Sequence, residues 1–591
     1  MRIHRPHRFL LRGCGAFPLV AALLLCSSLA QQKAPPTADE SYQQGLAALK
    51  KGDVPGARAA FEQAVKLAPN SAEAHNSLGY VLLAQGHAEE AVGELKAAVQ
   101  LDPKLFLGHV NLANALIRQR DLTGAETEAR EATRLDPKSA EAHRTLGRVL
   151  SFQGKTAEAT AELAQAVEVD PKRADLRDEY GSLLVQGKQN EKAADEFAQA
   201  VRLSPQFGQA KLHLGVVRWQ QQQFDAAQKL LESAAQLLPD SPQAHFYLAR
   251  VLAQRGAREQ AVREFQAAVK LNPDWAEAQT QLGSMLQRQN DVEGALRAFR
   301  RTVELQPDDP DAHNNLGLAM VQGGQAAQSV AEFQAALRLR PDDPGYRANL
   351  GTAYLQQADF ESAIAQFQTA LKTSPDDATL HYNLGLALKL KDQLQEALAE
   401  LRKAEELEPS QPDVHYTLGV TLWQQGAFDE SVKELRAAIS ARSDYAEAYY
   451  TLGTVLKQQG KLPDAADALR EAIRLQPDFA GAHTTLASVL RAQGDNEGAA
   501  AEARAGAQIG RQTTGLQAAT LATSSGRRLL DAGDVDGAIV QFRSAINSSP
   551  NYAQAHFQLA IALKRKGDKD ESAKEFRRAA ELDPQLSPPA S

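Results

Sequence analysis

Cysteine is almost missing from this chain: 591 residues contain two, Cys14 and Cys26, both near the amino terminus. A disulfide framework and a four-thiolate zinc site are therefore excluded. Beyond the first thirty residues no run of eighteen apolar residues exists, so the remainder carries no membrane-spanning helix. There is no surplus of positive charge either. Lys and Arg total 65 against 73 Asp and Glu, a balance that lacks the concentrated basic face needed to bind nucleic acid. His-Glu-x-x-His, Gly-x-Ser-x-Gly and Cys-x-x-Cys are all absent. Gly154-Lys155-Thr156 resembles the end of a phosphate loop, but Val149 stands where that loop needs glycine.

What is present begins with a leader. Arg2, Arg5, Arg8 and Arg12 precede an apolar run from Ala16 to Leu25, and Ser28-Leu29-Ala30 supplies small residues for cleavage after Ala30. Residues 1–30 thus read as an export signal, which places the mature chain in the periplasm or outside the cell. A lipid anchor on Cys26 is the competing reading, disfavoured by Leu25 in front of it. Hydrophobic residues at 43% and charged residues at 23% describe a chain that folds, and its length points to a modular build.

The dominant signal is a period of 34 residues. Ala72-Glu73-Ala74-His75 returns as Ala140-Glu141-Ala142-His143, and variants continue to Ala553-Gln554-Ala555-His556. Fourteen contiguous units fill 38–513, residues 514–518 interrupt the frame, and units 15 and 16 occupy 519–552 and 553–586. A linker, 31–37, precedes the array and a tail, 587–591, follows it. Within a unit, apolar residues at places 4, 7, 8 and 11 mark one amphipathic helix, and a second stripe at places 20, 24 and 27 marks another. Glycine between them, as at Gly52, Gly86 and Gly154, supplies a left-handed cap. Proline closes fourteen of the sixteen units, and Asp-Pro pairs such as Asp309-Pro310 open the next helix.

These residues resemble the tetratricopeptide repeat. Gly or Ala holds place 8 and Ala or Ser place 20 in all sixteen units, and Leu holds place 7 in thirteen. The resemblance implies an all-α fold, a right-handed α-solenoid of antiparallel helix pairs, with first helices lining a concave groove. It also implies a protein-binding role. Residues outside the repeats are too few for a catalytic domain, so the chain is expected to be no enzyme and to need no cofactor or metal.

Groove residues are then the candidates for binding. Place 6 carries a ladder of amides, Asn315, Asn349 and Asn383, which can bond an extended peptide backbone without reading its sequence. Tyr382, Tyr416 and Tyr450 take place 5 of three successive units, and Val420 and Trp423 continue the Tyr416 stripe. Such an aromatic face is a natural partner anchor. Trp219 with Leu212 and Val216 repeats it weakly in unit 6. Nine histidines at place 4, His75 to His556, are expected half-buried in the stack rather than as metal ligands, because successive units stand too far apart to share an ion.

The reading is a non-catalytic exported scaffold that holds proteins or extended segments in its groove. The alternative is an accessory subunit of an envelope polysaccharide synthesis or secretion machine. The five inserted residues predict that the first helix of unit 15 starts early, near Gly515, and that units 15 and 16 form a small second module. Ala503, Gly506 and Arg511 predict weak packing across 499–518.

Overall fold

The computed structural model describes residues 36–586. The leader, Cys14, Cys26, residues 31–35 and the tail 587–591 lie outside them. Among the described residues there are 31 helices and no strand, arranged as the expected α-solenoid of helix pairs. The chain divides into two compact bodies, Met1–Leu271 and Asn272–Ser591. The first carries the helices of units 1–7 and the second those of units 8–16.

Each unit stops and restarts its backbone at the same places. In unit 10 the helices are Pro344–Gln356 and Phe360–Thr373. Place 15 takes positive φ in all sixteen units, ten times at glycine and six times at Arg120, Lys188, Gln222, Asn290, Ala358 and Asp392. Glycine suits this corner because a β-carbon clashes there. Aspartate one place later caps the second helix: Asp53, Asp121, Asp291 and Asp359 accept the backbone N–H three residues on at 2.9–3.1 Å.

The two helices of a unit cross at places 8 and 24. A β-carbon on Gly351 would stand 2.6 Å from the Phe367 ring, and one on Gly147 would stand 2.1 Å from Leu163. Small residues at place 8 therefore create the slot that a buried ring or leucine fills. Successive units join through the outer side of the second helix. Leu398, Leu401 and Ala404 at places 21, 24 and 27 share a core with Val414, Leu418 and Leu422 at places 3, 7 and 11 of the next unit.

The nine place-4 histidines have a structural task. In each, Nδ1 lies 2.5–2.8 Å from a glutamate of the second helix, nineteen residues on. Nε2 lies 2.9–3.2 Å from the carbonyl of the preceding closing proline. A carbonyl only accepts, so Nε2 donates. The ring thus latches both helices to the incoming loop. In unit 5 Arg177 makes the same two bonds, to Glu196 and Pro171. Glu405, His415 and Glu434 also offer three ligand atoms within 4.8 Å of one another, but the His415 nitrogens serve this latch.

The insertion changes the pattern. The second helix of unit 14 and the first helix of unit 15 form one continuous helix, Asn496–Asp531, of 36 residues. At 1.5 Å per residue it is about 54 Å long. The sequence reading begins a helix near Gly515; the helix instead passes straight through. Arg511 replaces the closing proline, but unit 12, with Ser443 at the same place, still ends its second helix at Ala441, so the five inserted residues are what set unit 14 apart. Its first part packs on the preceding helix through Ala499 and Gly506, and its last part buries Ala519, Thr523, Gly526 and Leu530. Between them residues 507–518 are exposed apart from partial cover at Ile509, Gly510 and Gly515.

Candidate partner-binding grooves

In the first body the first helices of units 4–7 present two adjoining cavities. One, of about 370 Å³, has apolar walls from Leu212, Val216, Val217 and Tyr247 and a rim of Gln186, Gln209, Gln220 and Gln243. The other, of about 340 Å³, lies between Arg148, Phe152, Glu179 and His213. Ser182, Gln186 and His213 line both. Val216 and Val185 stand at places 9 and 12, which face away from the stack because the core uses places 3, 7, 8, 10 and 11. Phe152, at place 13, is 61% exposed and was not singled out from sequence, since this place has no fixed residue type.

Polar contacts brace these walls. His213 Nδ1 lies 2.8 Å from the buried carboxylate of Asp178 and its Nε2 lies 2.8 Å from Gln209. Arg144 bonds Glu179 across the same two places, 5 and 6, of successive units, and Glu179, helped by Glu141 and Asp175, holds its pKa above the usual guanidinium value despite burial. Trp219 is half-buried. Its ring packs 6.1 Å from Tyr247 and lies under the Arg250 guanidinium, 4.2 Å from the ring centre. Leu212, read from sequence as part of the groove stripe, is buried and forms cavity floor.

In the second body the three asparagines are half-buried along the first helices of units 9–11. Asn349 already donates to Asn314 at 2.8 Å, which leaves it one amide hydrogen for a ligand. The side chains of Asn315 and Asn383 make no hydrogen bond among the described residues. The aromatic stripe is less free than the sequence suggests. Tyr416, Trp423 and Tyr450 pack against the core of units 12–14, and Tyr382 against that of units 11 and 12. Trp423 Nε1 donates to Gln458 at 2.7 Å. Tyr416 packs 5.0 Å from Tyr445 and Tyr450 packs 4.8 Å from Phe479, so these two tyrosines each lean on an aromatic at place 34 of their own unit. Val420 stays half-exposed beside them.

Two charged features flank this stripe. Tyr445 donates to Asp413 at 2.9 Å, Arg442 bonds the same carboxylate at 2.5 Å, and the guanidinium sits 3.6 Å from the Tyr445 ring centre. Burial, then the Asp413 bond, push the phenol well above its usual pKa. Lys389, at place 12 of unit 11, has its pKa lowered by burial and makes no ion pair among the described residues.

Comparison with known proteins identifies the family. Residues 42–105, 280–344, 349–413, 391–446, 416–478, 450–512 and 524–587 match one tetratricopeptide repeat model. Residues 82–149, 116–184 and 218–283 match a second. The chain belongs to the tetratricopeptide repeat family. No curated protein matches it. Among solved structures, the APC/C hetero-tetramer Cut9–Hcn1 is similar at 15% identity and TM-score 0.34, covering 91% of this chain and 99% of that one. YrrB, described as a TPR protein with an unusual peptide-binding site, is 24% identical with TM-score 0.28, covering 32% and 97%. PilF of Pseudomonas aeruginosa is 20% identical with TM-score 0.33, covering 34% and 92%. The fold is a protein-interaction fold, and no described helix is long and apolar enough to cross a membrane.

Proposed function

We propose that this protein is a non-catalytic exported scaffold that captures extended protein segments along its first-helix faces. The observation that carries the reading is the paired cavity of units 4–7. Its apolar walls would take side chains at alternate positions of an extended chain, while Gln186, Gln209, Gln220 and Gln243 would bond the backbone. None of the four glutamines is needed for stacking. Asn315 and Asn383 offer free amides of the same kind in the second body. Export rests on the leader and cleavage after Ala30, so the partners would be envelope or extracellular proteins.

Panning the full chain against a display library of unstructured peptides tests capture. Enrichment of apolar extended peptides, abolished by Val216→Glu and unaffected by a substitution at exposed Leu67, is the expected result. Failure to enrich any peptide, or enrichment indifferent to Val216→Glu, would contradict it.

A further inference from the structure

The long helix leaves two stacking faces uncovered. Place 21 is at least partly covered in every unit except unit 16, which has no successor, and unit 14, where Ala500 is exposed; place 24, buried even in unit 16, is exposed at Ala503 of unit 14. Place 3 is buried in every unit except unit 1, which has no predecessor, and unit 15, where Leu521 is 73% exposed. Place 10 repeats that exception: only Ala47 of unit 1 and Arg528 of unit 15 escape burial. By burial, unit 14 ends one stack and unit 15 begins another. Elsewhere these places cover each other, as Leu401 and Leu418 do between units 11 and 12. Here the continuous helix holds both faces on its own surface, where one cannot fold onto the other.

Both faces lie along one side of that helix. At 100° per residue, Ala500, Ala503, Ala507, Leu521, Ser525 and Arg528 fall within a stripe of about 80°. A β-carbon on Gly510, in the same stripe, would meet nothing within 4 Å. The flanking helices pack on other sides: Gly506 lies against Ala480 and His483, and Gly526 against Phe542.

We propose that the stripe is covered by the same helix of a second copy, running antiparallel about a two-fold axis at Thr514. That register sets Ala503 opposite Ser525 of the second copy, Ala500 opposite its Arg528 and Ala507 opposite its Leu521. Places 24, 21 and 28 then meet places 7, 10 and 3, the antiparallel register that joins successive units elsewhere. One symmetric contact completes both missing junctions. Units 8–14 of each chain are continued by units 15 and 16 of the other. The small residues Ala500, Ala503 and Ala507 allow close approach of the two helices. This inference is independent of what the groove captures.

The test uses the full chain with Cys14 and Cys26 replaced by serine, followed by sedimentation equilibrium and mild oxidation. The wild-type surface is expected to give a dimer, and Thr514→Cys, on the axis, is expected to crosslink nearly all of it, while Gln165→Cys on an exposed second helix does not. Ala503→Arg and Leu521→Arg, both at exposed positions, are expected to give monomers with unchanged helicity. A monomer at tens of micromolar overturns the proposal. So does a dimer that survives both arginine substitutions or leaves Thr514→Cys uncrosslinked.

Discussion

At place 15 one backbone corner is asked of six different side chains, and that makes it a direct test of local strain. Ala358 holds φ of 58° with no side chain able to compensate. Ala358→Gly is expected to raise stability by about 0.5–1 kcal/mol, the left-handed penalty less the entropy glycine loses on folding. Denaturant titration would read it, and a destabilised variant would count against the assignment. The latch of unit 12 makes a second residue-scale prediction. Burial alone would lower the pKa of His415, but the Pro409 carbonyl and the Glu434 carboxylate outweigh it and hold the value above that of an ordinary histidine. A raised folded-state pKa gives stability that is full below the unfolded value of about 6.5 and is lost as pH rises through the folded one. His415→Gln keeps the carbonyl bond, as Gln279 does with Pro273 at 3.1 Å in unit 8. The advantage of the natural chain over this variant should therefore shrink with rising pH. A gap constant from about pH 5.5 to 8.5 would contradict the charged latch.

Among the elements, the long helix departs most from its neighbours. Its middle, 507–518, is exposed apart from partial cover at Ile509, Gly510 and Gly515, the last packed against Ser548, and rests mainly on its own backbone bonds. Amide exchange there is expected to be faster than in the first helices of units 8–11. Arg511→Pro restores the missing stop and should break the helix at that point, lowering helicity only locally. Unchanged exchange and helicity in that variant would argue against a continuous element. Much of this level was legible in sequence because a 34-residue frame repeats its own punctuation. Gly at place 15, Pro at place 32 and Asp or Ser at place 34 each name a boundary. The continuity across 496–531 was not legible, since a missing proline and five added residues fit either an early start or an unbroken helix. The site was read less fully. Place periodicity correctly put Trp219, Tyr416 and the asparagines on the first helices, but side-chain contacts between units decide what stays open. Trp423 is engaged by Gln458, and the Phe152 side of the groove depends on neighbours that sequence does not align.

For the whole molecule, stability is a sum of neighbouring contacts, so damage should stay local. Phe367→Ala removes a fully buried ring and its slot opposite Gly351, with an expected cost of about 3–5 kcal/mol felt mainly in units 9–11. Exchange spreading evenly over all sixteen units would show a single cooperative block instead. The central claim is that extended segments are captured on first-helix faces. It is tested most directly by hydrogen–deuterium exchange of the full chain, free and with a peptide enriched by panning. The account predicts protection gained on the first helices of units 4–7, 140–152, 174–186, 208–220 and 242–254, with second helices unchanged. Protection confined to second helices, or none despite binding, would contradict it.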